Sequence, residues 1–146
     1  MSKLNIINTY EQLVTEKRFV QLLSNEKQQI QISNLIGSSL SFIISESFKK
    51  VDKQFLLIFN DKEEAAYYLN DLEQLLNDKD VLFYPGSYRR PYQIEEVDNA
   101  NVLLRSEVLN RLNSRKKPAV IVTYPDALFE QVVTKAELNR NMILTE

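Results

Sequence analysis

Along this chain, segments with apolar residues at helical spacing alternate with short runs that are apolar throughout. Residues 9–23 place Tyr10, Leu13, Val14, Phe19, Leu22 and Leu23 at a mostly helical period. Asn8 or Thr9 is suited to cap that helix, because a short polar side chain accepts a bond from an orphan backbone N–H. Residues 29–35 (QIQISNL) alternate polar and apolar, the pattern of a half-buried strand. A helix is predicted over 37–50, with Leu40, Ile43, Ile44 and Phe48 on one face. The run QFLLIF at 54–59 reads as a strand buried on both faces, as in parallel sheets. Asn60 and Asp61 then supply a turn and a cap. The helix at about 61–77 turns Ala65, Ala66, Leu69, Leu72, Leu75 and Leu76 inward and carries acids near its start, where the helix dipole favours them.

The same alternation continues to the end of the chain. Asp80–Tyr84 is a third apolar strand, stopped by Pro85 and Gly86, and residues 87–99 form a polar loop. A helix follows at about 100–113, with Val102, Leu103, Val108, Leu109 and Leu112 as its apolar positions. Arg115-Lys116-Lys117-Pro118 makes a basic turn, and Ala119–Thr123 is a fourth strand. Asp126 is placed to cap a short helix through Val133, and Asn141–Thr145 has the composition of a further strand. Buried strands alternating with helices imply parallel βαβ units with right-handed crossovers. The predicted class is therefore α/β: an open, mainly parallel sheet with helices on both faces. No repeat or linker divides residues 1–146, so one domain is expected, with the start of a next domain at about 141–146 of a longer protein.

Composition narrows the chemistry. The chain has 146 residues, 44% hydrophobic and 26% charged, enough for one substantial core. Its net charge of −2 is too balanced to steer the whole domain onto nucleic acid. There is no cysteine and no histidine, which removes disulfides, the usual zinc sites, Ser-His and Cys-His pairs and the commonest general base. No apolar run approaches the length of a membrane span, and the N-terminus lacks the pattern of a signal peptide, so a cytoplasmic location and no membrane partner are expected.

In a sheet of this kind ligands sit at the carboxyl ends of the strands, and the first strand-to-helix turn is the place for a phosphate loop. A working loop, GxxxxGKT or GxxxxGKS, needs glycines for close backbone approach, a Lys for the phosphate charge and a hydroxyl for magnesium. Here the turn reads Asn34-Leu35-Ile36-Gly37-Ser38-Ser39-Leu40-Ser41. Aligned on Gly37 and Ser38, it lacks the first glycine, has Ser39 at another loop position, puts Leu40 where Lys is required and keeps a hydroxyl in Ser41. With only two glycines in the chain, no second glycine-rich loop compensates. The favoured reading is a helix N-terminus whose orphan N–H groups are satisfied by Ser38 and Ser39; the alternative is a residual nucleotide or anion site.

With the segments IGSSLSFIISES, FLLIFNDKEEAAYYLNDLEQLL, DVLFYPGSYRRPY, LLRSEVLNRL and PAVIVTYPDALFEQVV in this order, the chain resembles the extreme N-terminal region of the bacterial transcription-repair coupling factor family (Mfd) over about residues 30–133. That region is similar to the first motor-like domain of the excinuclease subunit UvrB. The resemblance implies a P-loop NTPase-like (RecA/helicase-like) fold that does not hydrolyse ATP, in agreement with Leu40. It also implies a scaffolding and docking role. The partners it implies are other domains of the same chain, UvrA through the adjacent domain, and RNA polymerase and DNA through the full-length protein, whose motor lies far downstream. The family's neighbouring segments also help to hold the free protein inactive. UvrB carries a long aromatic hairpin after its third strand; Pro85–Asn99 is much shorter, which argues against that DNA clamp. No UvrA-binding residue is carried over.

Three further groups of residues invite chemistry. Tyr84, Tyr88, Arg89, Arg90 and Tyr92 combine aromatic and basic side chains able to stack on bases and meet phosphates, or to pack on a neighbouring domain or partner. Arg115, Lys116 and Lys117 suit the end of a helix. Glu63, Glu64, Glu95, Glu96 and Asp98 supply carboxylates without the spacing of a metal site. No catalytic residue, metal or cofactor is assigned. A non-catalytic docking lobe is the leading reading; the alternatives are a nucleotide-binding helicase or ATPase lobe and a weak single-strand nucleic acid binder.

Overall fold

A computed structural model describes residues 3–16, 19–24, 29–87, 98–114 and 117–130. The helices are α1 (Lys3–Glu16), α2 (Phe19–Ser24), α3 (Ser39–Lys50), α4 (Lys62–Leu75), α5 (Asn99–Ser114) and α6 (Pro125–Phe129). The strands are β1 (Phe55–Ile58), β2 (Val81–Tyr84) and β3 (Val120–Thr123). They form one parallel sheet in the order β1-β3-β2. The chain is thus α/β, with a small three-stranded parallel sheet and helices packed around it.

The sheet explains itself from its residues. Central β3 (VIVT) is buried at all four positions, so β-branched side chains fill both faces. Phe55 and Val81 both pair with Val120, and Ile58 and Tyr84 both pair with Thr123, so the three strands end level. The link from β1 to β2 runs across the sheet in one direction, and the link from β2 to β3 runs back. Right-handed crossovers therefore send α4 and α5 to opposite faces. Val120, Val122, Leu72, Ala65, Val108 and Ile44 belong to one buried core. Helix α1 lies on α3, where Tyr10 and Phe42 stack with ring centroids 5.0 Å apart.

Helix α4 begins as its sequence predicts. The Asp61 carboxylate accepts from Glu64 N at 2.8 Å. The Glu64 carboxylate accepts from Asn60 N at 2.9 Å and from Asn60 Nδ2 at 2.7 Å. This is a reciprocal cap of the kind that contributes about 1 kcal/mol.

Several expectations are corrected. Residues 29–36 form no strand: Gln29–Asn34 are exposed, with Ile30 and Ile32 at 37% and 40%. Alternation makes a strand only when a neighbour accepts its ladder, and the run ends where Asn34 takes φ 63 and Gly37 φ 56. The single helix over 9–23 is two, because α1 starts at Lys3 and ends at Glu16. Ala66 is exposed, as are Val102, Leu103 and Leu112, and Leu103 reaches 71%; Leu56 and Ile58 are exposed as well, so β1 is covered on one face and not on both. On α5 the predicted Val108 is buried and Leu109 packs against the core, and Arg105 is the unexpected buried residue beside them. Tyr124, with Pro125 after it, starts α6, and Asp126 lies in its first turn rather than at the cap. The predicted strand at Asn141–Thr145, the end of the helix predicted through Val133, and Arg115 and Lys116 lie outside the described residues.

Candidate functional site

The turn read as a degenerate phosphate loop connects residues 29–36 to α3. Among the described residues no sheet strand precedes it, so residues 29–36 do not give it the strand-to-helix setting that aims backbone N–H groups at a phosphate. Gly37 adopts φ 56, a conformation that favours glycine, and a Cβ there would meet nothing within 4 Å. The turn is held by Ser39 N donating to Ile36 O at 3.3 Å.

Each hydroxyl of the turn is engaged inside the chain. Ser38 occupies the N-cap position of α3 but makes no side-chain cap bond. Its Oγ lies 3.0 Å from the Tyr67 hydroxyl. Ser39 Oγ donates to Ile36 O at 2.7 Å and accepts from the Tyr10 hydroxyl at 2.8 Å. The expectation that Ser38 and Ser39 satisfy the orphan N–H groups of the helix is corrected for that reason: their oxygens are directed at tyrosines of α4 and α1. Ser41 is fully buried and donates to Asp71 Oδ2 at 3.1 Å. Leu40 packs against the core. The position that a working loop fills with Lys thus holds a hydrophobe turned to the core, and no side-chain cation stands there for a phosphate.

The carboxyl end of β1 continues this aromatic surface. Phe59 stacks on Tyr68 with centroids 4.3 Å apart, and Tyr68 meets Tyr67 edge-on. Burial, then the neighbouring Glu64, Tyr67 and Asp71, raise the pKa of the Tyr68 phenol.

A second polar cluster closes the carboxyl ends of β2 and β3. Arg105 is buried, and its Nη1 donates to Pro85 O at 2.8 Å and to Ala127 O at 3.0 Å. The guanidinium sits 4.2 Å from the centre of the Tyr84 ring and 3.4 Å from Glu130 Oε2. Both Glu130 oxygens accept from Ser87 N at 2.8 Å. The Tyr124 hydroxyl accepts from Gly86 N at 2.9 Å, and Asn101 Nδ2 donates to Gly86 O at 2.8 Å. Ser87 O in turn accepts from Asp98 N at 2.9 Å. Five residues, Asp98, Asn101, Arg105, Tyr124 and Glu130, thus fix the Pro85–Ser87 turn. Burial raises the pKa of both Tyr84 and Tyr124.

The sequence pattern marked Pro85 and Gly86 as a turn but did not identify Arg105, Asn101 or Glu130. Arg105 sits at a helix position that reads as solvated, and the only local signal is that one of two glycines lies in this turn. Tyr88, Arg89, Arg90 and Tyr92, together with Glu95 and Glu96, lie outside the described residues; Ser87 and Asp98 flank them. Glu64 serves the cap of α4, and Lys117 pairs with Asp80 at 3.1 Å. Among the described residues no group of acids forms a metal-holding cluster, and no helix is long and apolar enough to cross a membrane.

Against known proteins, the chain is 28% identical over 112 residues to the transcription-repair-coupling factor of Bacillus subtilis (strain 168). The matched stretch covers 77% of this chain and 9% of that protein, so the chain corresponds to a small part of its relative. No family model matches, and no solved structure matches.

Proposed function

We propose that this chain is the N-terminal lobe of a transcription-repair coupling factor, a P-loop NTPase-like domain that acts as a scaffold and docking surface and performs no bond chemistry. In this reading it packs against other domains of the same protein and supports the adjacent domain that recruits UvrA. It also helps to keep the free protein inactive, while RNA polymerase and DNA are engaged elsewhere in the full-length chain. The similarity to the Bacillus subtilis protein supports the family. The observation that supports the loss of catalysis is Leu40, a core-packed hydrophobe at the position of the phosphate-binding Lys. That arrangement puts a hydrophobe where phosphate binding needs a cation.

Calorimetric titration with ATP and magnesium tests this directly. No saturable heat is expected at millimolar nucleotide. Saturable binding that is weakened by Ser41→Ala would show that the turn holds nucleotide, and the scaffold reading would give way to a nucleotide-binding lobe.

A further inference from the structure

The fold uses only part of Arg105. The side chain is 8% exposed, so the guanidinium has lost most of its hydration. A guanidinium carries five N–H donors, and a buried one needs acceptors for them. The bonds to Pro85 O and Ala127 O and the ion pair with Glu130 all run from Nη1. Among the described residues nothing accepts from Nε or Nη2, and no buried side-chain nitrogen there lacks a partner, so these two nitrogens lie where solvent reaches them. They form the side-on edge of the guanidinium. Nε–H and one Nη2–H point the same way, at the spacing of the two oxygens of a carboxylate or phosphate.

The surroundings hold that edge ready. Nη1 is pinned by two carbonyls, and the Tyr84 ring lies 4.2 Å from the guanidinium carbon. An incoming anion therefore orders no side chain of the site on binding. The place is the carboxyl end of β2 and β3, where ligands bind to parallel sheets. One negative charge suits it better than two. Glu130 Oε2 already stands 3.4 Å from Nη1, and it repels a dianion about twice as strongly as a carboxylate. A spherical ion cannot take both donors of the edge. We infer that the free Nε–Nη2 edge of Arg105 is a carboxylate-binding site, which takes an acidic side chain or chain-terminal carboxylate of a partner protein. No residue of the turn from Gly37 to Ser41 takes part, so the inference stands or falls apart from the proposed function.

Arg105 carries its own reporter, because its Nε–H gives a separate proton–nitrogen correlation in the magnetic resonance spectrum. The signal is assigned by its loss in Arg105→Lys or, should that variant fail to fold, by through-bond correlation to the Arg105 backbone. Acetate is the probe, added to the 146-residue chain at constant ionic strength and mildly acidic pH. It is expected to move the signal saturably, with a dissociation constant on the order of 1–10 mM. Chloride at the same ionic strength should leave the signal in place, and phosphate should bind more weakly than acetate. Glu130→Gln removes the like charge beside the site and should tighten acetate about threefold or more. Equal movement with chloride, tighter binding of phosphate, or an acetate affinity unchanged in Glu130→Gln overturns the inference. So does a signal that acetate leaves unmoved, the result expected if a carboxylate of this chain already fills the edge.

Discussion

Arg105→Ala should be among the most damaging single substitutions in this domain. The guanidinium donates to two carbonyls, Pro85 O and Ala127 O, lies on the Tyr84 ring and pairs with Glu130. A hydrogen bond to a charged group contributes about 1.5–3 kcal/mol, and removing one partner of a buried ion pair costs about 3–5 kcal/mol because the other charge is left uncompensated. These contributions overlap. The Glu130 side chain also keeps 19% of its exposure and its bonds from Ser87 N, which lowers the cost of leaving it unpaired. A net loss of about 3 kcal/mol follows, a large fraction of the roughly 5–15 kcal/mol that separates folded from unfolded domains. In urea, with a slope of about 1–3 kcal/mol per molar, the unfolding midpoint followed by far-ultraviolet circular dichroism should fall by about 1–3 M. Glu130→Gln keeps an acceptor for Ser87 N and a neutral neighbour for the guanidinium, and should cost clearly less. A loss below about 1 kcal/mol for Arg105→Ala, or a larger loss for Glu130→Gln, would refute the view that this cluster clamps the Pro85–Ser87 turn.

Two other perturbations probe the same end of the sheet. A Cβ on Gly86 would lie 2.8 Å from Glu130 Oε1 and 3.4 Å from the Tyr124 hydroxyl, so Gly86→Ala should lower stability by about 1–3 kcal/mol through displacement of Glu130, measured as a shift of the urea midpoint. Burial raises the pKa of Tyr68, Tyr84 and Tyr124 above the ordinary value of 10.0. The unfolded chain then releases these protons first, so their contribution is complete below pH 10.0 and is lost as pH rises through the folded values. Urea midpoints should hold level up to that pH and decline beyond it, and the phenols should titrate late by tyrosinate absorbance; a midpoint unchanged through the alkaline range would contradict the burial of these side chains.

Much of the element order was legible because periodicity is a local property. QFLLIF, DVLFY and AVIVT are short apolar runs bounded by turn residues, and each contains a strand of the sheet. Asn60 and Asp61 announced the start of α4, since a helix cap needs only neighbours along the chain. QIQISNL carries an equally good strand pattern and forms none, because a strand also needs an edge to pair with and nothing local records whether one is offered.

The residues alone therefore determined the α/β class, the alternation of helix and strand, and the absence of a Lys at the Leu40 position. Tertiary structure decided the strand order β1-β3-β2, which depends on which crossover folds back. It decided that Ser38, Ser39 and Ser41 are occupied by Tyr67, Tyr10 and Asp71, partners 29 to 30 residues away. It also decided that a charged residue, Arg105, lies buried while Leu103 two positions earlier faces water. Hydropathy ranks a side chain by its cost of leaving water, whereas burial also depends on the partners assembled to offset that cost. For Arg105 those partners are Pro85, Ala127 and Glu130, which only the folded chain brings together.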